Sequence, residues 1–186
     1  VNGDFVVTWT SVGQEAGQFG TSQGVYARRF DADGTDPEVE FLVNQTTAGN
    51  QYRSRVAMSA QGVFVVTWTT DASGDEDVMA RVYNANGVAP VGELLVNART
   101  PGVQDVSDHA SDVAMSVDGT SFVVTWVSAG QDASGDDVYS RRFSFNGITV
   151  TPSTNEIRVN TTTLGDQSSP AVAMDHTGGY VIAWSG

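Results

Sequence analysis

Phe5-Val-Val-Thr-Trp9 returns as Phe64-Val-Val-Thr-Trp68 and Phe122-Val-Val-Thr-Trp126, and Tyr180-Val-Ile-Ala-Trp184 is a diverged fourth copy. The tryptophans stand at 9, 68, 126 and 184, so the period is 59, 58 and 58 residues. An internal repeat of this length is the first thing a fold must explain. Three other segments keep the same phase. Val25-Tyr-Ala-Arg-Arg-Phe30 recurs as Val78-Met-Ala-Arg-Val-Tyr83 and Val138-Tyr-Ser-Arg-Arg-Phe143. Phe41-Leu-Val-Asn44 recurs as Leu94-Leu-Val-Asn97 and Ile157-Arg-Val-Asn160, and Val56-Ala-Met58 as Val113-Ala-Met115 and Val172-Ala-Met174.

Each unit reads as four strands. Val-Ala-Met is a short strand, followed by a turn carrying Gly62, Asp118-Gly119 or Gly178-Gly179, as a hairpin requires. Phe-Val-Val-Thr-Trp is nearly continuous in apolar residues, which suits a strand covered on both faces. The next strand alternates: Val25, Ala27 and Arg29 on one face, Tyr26, Arg28 and Phe30 on the other. Asp31-Ala-Asp33-Gly34 and Asn84-Ala-Asn86-Gly87 end it as turns, and Leu-Val-Asn forms the fourth strand. No segment holds a helical period. The expected fold is all-β, a β-propeller-like array of four-stranded antiparallel blades with a period of about 58 residues. One array spans 1–186: an incomplete unit 1–49, units 50–106 and 107–166, and an incomplete unit 167–186. Such sheets bury their faces only by stacking on neighbours. An immunoglobulin-like sandwich needs about seven strands in roughly 100 residues, too many for this period. A β-solenoid would have a shorter period.

The chain begins and ends on the same strand type, so an incomplete blade at each end is expected to be completed by further copies of the repeat, in the same or a neighbouring chain. The opening Val1-Asn-Gly-Asp4, without an initiator Met, reads as a slice of something longer.

The pattern Gly-x-Phe-Val-Val-Thr-Trp, then Asp-Ala-Ser-Gly-Asp-Asp-Val-Tyr-x-Arg-Arg-Phe, then Asn-Gly or Asp-Gly, then a strand ending Val-Asn, resembles repeats of very large secreted bacterial surface proteins. The resemblance covers essentially the whole chain. It implies an extracellular or cell-surface, non-enzymatic array with adhesive or scaffold roles, often beside calcium-binding modules, and it implies no particular ligand.

Composition narrows the chemistry. All nine basic residues are Arg, 22 residues are acidic, and the net charge is −13. Such a surface disfavours nucleic acid and anionic lipid and attracts divalent cations. Zero cysteines exclude disulfides, thiolate zinc sites and thiol catalysis. No apolar run approaches the roughly 18 residues of a membrane span.

The acidic loop between second and third strands is the candidate metal site. Asp71, Ser73, Asp75 and Asp77 in one unit, and Asp132, Ser134, Asp136 and Asp137 in the next, offer oxygen ligands around a glycine bend, which suits calcium. The spacing is not that of an EF-hand. The first unit's Gln14-Glu15-Ala-Gly17-Gln18-Phe-Gly20 is too poor in carboxylates for the same site. The opposing reading is a solvated acidic loop.

No catalytic residue is assigned. His109 and His176 fall at different phases and lack a nucleophile motif, so both read as loop or turn residues. Ser116-Val-Asp118-Gly119-Thr120 only superficially resembles the Asp-box of sialidases and reads as a hairpin turn. Arg28-Arg29 and Arg141-Arg142 point to opposite faces, covering aromatic rings or meeting carboxylates. Asn44, Asn97 and Asn160 read as turn caps, although Asn44 and Asn160 also open glycosylation sequons. Met58, Met115 and Met174 share a core phase. The leading expectation is a structural or adhesive module. A lectin-like propeller binding glycans is the alternative, although Met79 replaces Tyr26 and Tyr139 in the middle unit. A glycan hydrolase with its active site elsewhere is a distant third.

Overall fold

The computed structural model describes residues 3–14, 22–35, 39–98, 104, 111–131 and 135–186. Among them there is no helix, and hence none long and apolar enough to cross a membrane. The strands form four antiparallel sheets in chain order. The first sheet is β1 (Phe5–Val12), β2 (Gln23–Phe30) and β3 (Phe41–Leu42). The second is β4 (Gln51–Met58), β5 (Phe64–Thr70), β6 (Asp77–Tyr83) and β7 (Leu94–Leu95), in that order. The third runs β8 (Asp112–Met115), β9 (Ser121–Ala129), β10 (Asp136–Phe145) and β11 (Val150–Pro152), with β12 (Ile157–Arg158) also on β10. The fourth is the hairpin of β13 (Ser168–Met174) and β14 (Tyr180–Ser185).

The repeated segments occupy repeated places. Phe64 pairs with Tyr83 and Trp68 with Met79, just as Phe122 pairs with Phe143 and Trp126 with Tyr139. Among the described residues β11 has no counterpart in the other sheets, and the fourth strand of each unit contributes only two paired residues. Gln104 bridges Ser128 in the third sheet.

Alternation gives each sheet two unlike faces. Phe64, Val66, Trp68, Met79 and Tyr83 of the second sheet pack with Val25, Ala27 and Val43 of the first. Phe122, Val124, Trp126, Tyr139 and Phe143 of the third sheet pack with Val65, Val78, Ala80, Val82 and Val96 of the second. An aromatic face therefore covers the Val/Ala face of the sheet before it, twice over. Ile182 continues the rule, packing with Val123 and Ala114. Trp68 and Trp126 are wholly buried, and burial of a side chain that size stabilises by roughly 2–3 kcal/mol. The three core methionines also lie in these seams. The hairpin turns come very close: a Cβ on Gly119 would lie 2.8 Å from Val63 Cβ and 3.0 Å from Ser59 Oγ.

Candidate functional site: the acidic loops and the polar seams

The loop between β5 and β6 spends its carboxylates locally. Asp71 accepts hydrogen bonds from the Asn50 amide N–H and from Asn50 Nδ2, the latter at 2.8 Å. This clasp needs Gly49, where φ is +69° and a Cβ would sit 2.4 Å from Asp71 Oδ1. Ser73 Oγ donates to Asp77 Oδ2 at 3.0 Å and contacts the Asp75 carbonyl at 3.1 Å. Asp77 is 5% exposed, and its Oδ1 accepts from Asn97 Nδ2 at 2.8 Å. Asp75 is exposed.

In the third sheet, Asp132 and Ser134 lie outside the described residues, as do His109 and residues 15–20 of the first unit's loop. Asp137 is the counterpart of Asp77: 1% exposed, with Oδ1 accepting from Asn160 Nδ2 at 2.5 Å and Oδ2 3.7 Å from Arg158 Nη1. Asp136 is half-buried, and its amide N–H donates to Asp166 at 3.2 Å. The structure thus brings Ser73 and Asp77 together but turns Asp71 toward β4. Among the described residues, no group of three or more His, Cys, Asp or Glu side chains is placed to hold a metal ion.

The buried polar groups have a different purpose. Asn44, Asn97 and Asn160 accept the N–H of Val25, Val78 and Val138 at 2.8, 2.9 and 2.9 Å. Each therefore carries the ladder one step past the fourth strand. The expected turn role is also present, since Asn44 and Asn160 donate to the carbonyls of Thr46 and Thr162. A second repeated pair escaped the sequence reading. Trp68, Trp126 and Trp184 donate Nε1–H to Gln51, Gln104 and Gln167 at 2.8, 3.4 and 3.2 Å. The signal was Gly-x-Gln at Gly49, Gly102 and Gly165.

A third repeated set joins successive sheets. Arg81 Nη1 donates to the Val43 carbonyl at 2.6 Å, and Arg141 Nη1 to the Val96 carbonyl at 2.9 Å. Glu93 accepts the N–H groups of Gln45 and Thr46 at 2.9 and 3.0 Å, together with the Thr46 hydroxyl. Glu156 accepts the N–H of Ala98 at 2.7 Å. An Arg from the third strand and a Glu before the fourth thus grip the Val-Asn end of the preceding sheet. The same arginines lie over rings, Arg81 5.5 Å from Tyr83 and Arg141 5.4 Å from Phe143, as expected for the Arg strand.

The hairpin turns have a common chemistry. Asp33, Asp118 and Asp175 accept from Thr35, Thr120 and Thr177, through backbone N–H and hydroxyl. Hydrogen bonds to the carboxylate, first from the Thr35, Ser116 and Thr177 hydroxyls respectively, hold all three below the usual aspartate value. Ser116–Thr120 is a turn of this kind, and His176 sits exposed in another. Burial pushes the Tyr83 phenol up to about 12.

A cleft of about 690 Å³ opens between the first two sheets, lined in part by Asp4, Phe5, Arg29, Met58 and Gln61. Arg29 there donates to the Ala85 carbonyl at 2.9 Å. No protein-family model matches the chain, and no curated protein matches it.

Proposed function

We propose that the chain is a non-catalytic structural or adhesive module of an extracellular surface protein, its sheets acting as blades of a propeller-like array that adjoins further copies of the repeat. One observation carries this reading. The polar residues that recur from unit to unit, which would be the natural material of a repeated active or binding site, are committed to internal hydrogen bonds. Asn97 and Gln51 close contacts within the second sheet, and Arg81 and Glu93 hold that sheet on the first. The negative charge fits a solvent-facing surface that repels anionic lipid and nucleic acid.

Antibody labelling of unpermeabilised source cells tests the location, and imaging of the native particle tests the ring. Label that appears only after permeabilisation, or an open stack without a central axis, overturns the respective part. Calcium remains part of the proposal at the acidic loops, with Asp75 and Asp136 as the outer ligands, since Asp71 and Asp77 hold Asn50 and Asn97. The second reading is glycan binding, favoured by the cleft that sets Phe5 beside Arg29, Asp4 and Gln61. Saturable binding to one sugar class on a glycan array, lost in Phe5→Ala, would move the assignment to a lectin.

A further inference from the structure

The first sheet carries the same aromatic face as the second and third, but among the described residues no sheet covers it. Phe5 and Val7 are 42% and 43% exposed, whereas their counterparts Phe64, Val66, Phe122 and Val124 are 0% exposed. The face is otherwise fully formed. Phe5 stacks on Phe30 at 5.0 Å as Phe122 stacks on Phe143, and Trp9 on Tyr26 at 6.3 Å as Trp126 on Tyr139. Arg28 lies 5.3 Å from the Phe30 ring, in the pose of Arg81 and Arg141. Glu40 stands before β3 as Glu93 and Glu156 stand before β7 and β12, and it accepts from Gln14.

At the other end, the third sheet presents the matching half. Val159 N–H donates to the Val138 carbonyl at 2.8 Å, as Val43 does to Val25 and Val96 to Val78. The Val159 carbonyl and the Thr161 and Thr162 amides therefore occupy the positions that Arg81 and Glu93 grip at Val43, Gln45 and Thr46.

We infer that the aromatic face of the first sheet, with Arg28 and Glu40, is a docking surface for the third sheet of a second copy of this chain. The inference rests on the proposed stacking of repeat units and names its partner. In such a pair, Arg28 reaches the Val159 carbonyl of the second copy and Glu40 reaches its Thr161 and Thr162 amides. Repeat geometry places β1 where the second copy keeps β14. Met174 pairs with Tyr180 and Val172 with Ile182, as Met58 pairs with Phe64 and Val56 with Val66. Phe5 and Val7 thus take the places of Tyr180 and Ile182 on β13. The displaced strand gives up its pairing with β13 and the packing of Ile182 on Val123 and Ala114, which β1 and Val7 replace, while Tyr180, Val181 and Trp184 are already 37%, 66% and 41% exposed. The exchange completes a four-stranded sheet and adds the Arg and Glu grips that a two-stranded hairpin lacks.

The native chain has no cysteine, so introduced thiols report alone. Val39 and Leu164, each 83% exposed, flank the two halves of the grip. A mixture of Val39→Cys and Leu164→Cys chains treated with a short bis-maleimide is expected to give a mixed dimer, while each variant alone stays unlinked. Ala48→Cys with Gly92→Cys, the corresponding pair across the first and second sheets, is expected to link within one chain. In sedimentation, Arg28→Ala and Glu40→Ala are each expected to weaken association about tenfold or more. An intramolecular link without any mixed dimer, or association indifferent to both substitutions, overturns this inference and leaves the stacking reading standing. Failure of the intramolecular pair to link overturns both.

Discussion

Gln51 and Tyr83 are both buried polar side chains, and they lead to opposite expectations. Gln51 is 1% exposed and satisfies the indole N–H of a wholly buried Trp68. Gln51→Ala removes the acceptor and leaves that donor unpaired, which costs about 1–3 kcal/mol, read as a lower urea midpoint with unchanged slope. Among the described residues the buried Tyr83 hydroxyl meets no partner in good hydrogen-bond geometry, although the Arg81 guanidinium lies close, over its ring. Phe30 and Phe143 fill the same place in the other units. Tyr83→Phe is therefore expected to keep or raise stability, by up to about 1 kcal/mol. The turn aspartates add a pH dependence of fixed sign. Asp33, Asp118 and Asp175 have folded values below their unfolded ones, so their contribution is complete above about pH 4 and fades as pH falls through the lowered folded values. Replacing all three with Asn is expected to flatten the fall of the thermal midpoint between neutral pH and the acid limb. An unchanged acid limb would show that other carboxylates govern it.

At the level of the strand and its loops, the repeat made most elements readable, because alternation and turn residues recurred in phase. Tyr26, Arg28 and Phe30 were assigned to one face from period two alone, and the homologous set of each following sheet packs that way. The Gln–Trp pair stayed hidden for a physical reason. Its separation is 17 residues in two units but 22 in the third, where a longer connection precedes β8. The Arg and Glu grips were invisible too, since their partners are backbone atoms of another sheet, which carry no residue signature. The acidic loop shows the reverse limit. Composition picks out Asp71, Ser73, Asp75 and Asp77 as equals, yet Asn50 and Asn97 draw Asp71 and Asp77 into different hydrogen bonds. Two measurements at this scale separate the roles. Millimolar calcium is expected to raise the melting temperature, with a smaller gain in Asp75→Ala/Asp136→Ala, and no shift at all would remove calcium from the proposal. Glu93→Ala, which strips the acceptor from the Gln45 and Thr46 amides at an exposed edge, is expected to cost about 1 kcal/mol without calcium being involved.

Across the molecule, stability should follow the number of covered faces. A stack of sheets in which each touches only its neighbours behaves as a nearly one-dimensional system, with interface terms between adjacent units. The second and third sheets share a seam of wholly buried side chains, including Val65, Val82, Phe122 and Trp126. The same tryptophan position is half-buried at Trp9 and 41% exposed at Trp184. Amide exchange in the monomer is therefore expected to be slowest in β5, β6, β9 and β10 and fastest in β14, with β1 between. Trp126→Ala is expected to release protection in both central sheets together, because it opens a cavity in their common seam and costs about 3–5 kcal/mol. Trp184→Ala should quicken exchange only in β13 and β14. The gradient comes from burial, and burial at the two ends depends on concentration if chains dock head to tail. Raising protein concentration should then slow exchange in β1 and β2 selectively, while β5 and β9 keep their rates. Uniform protection along the chain, or a concentration effect centred on β5 and β9, would contradict an architecture held together seam by seam.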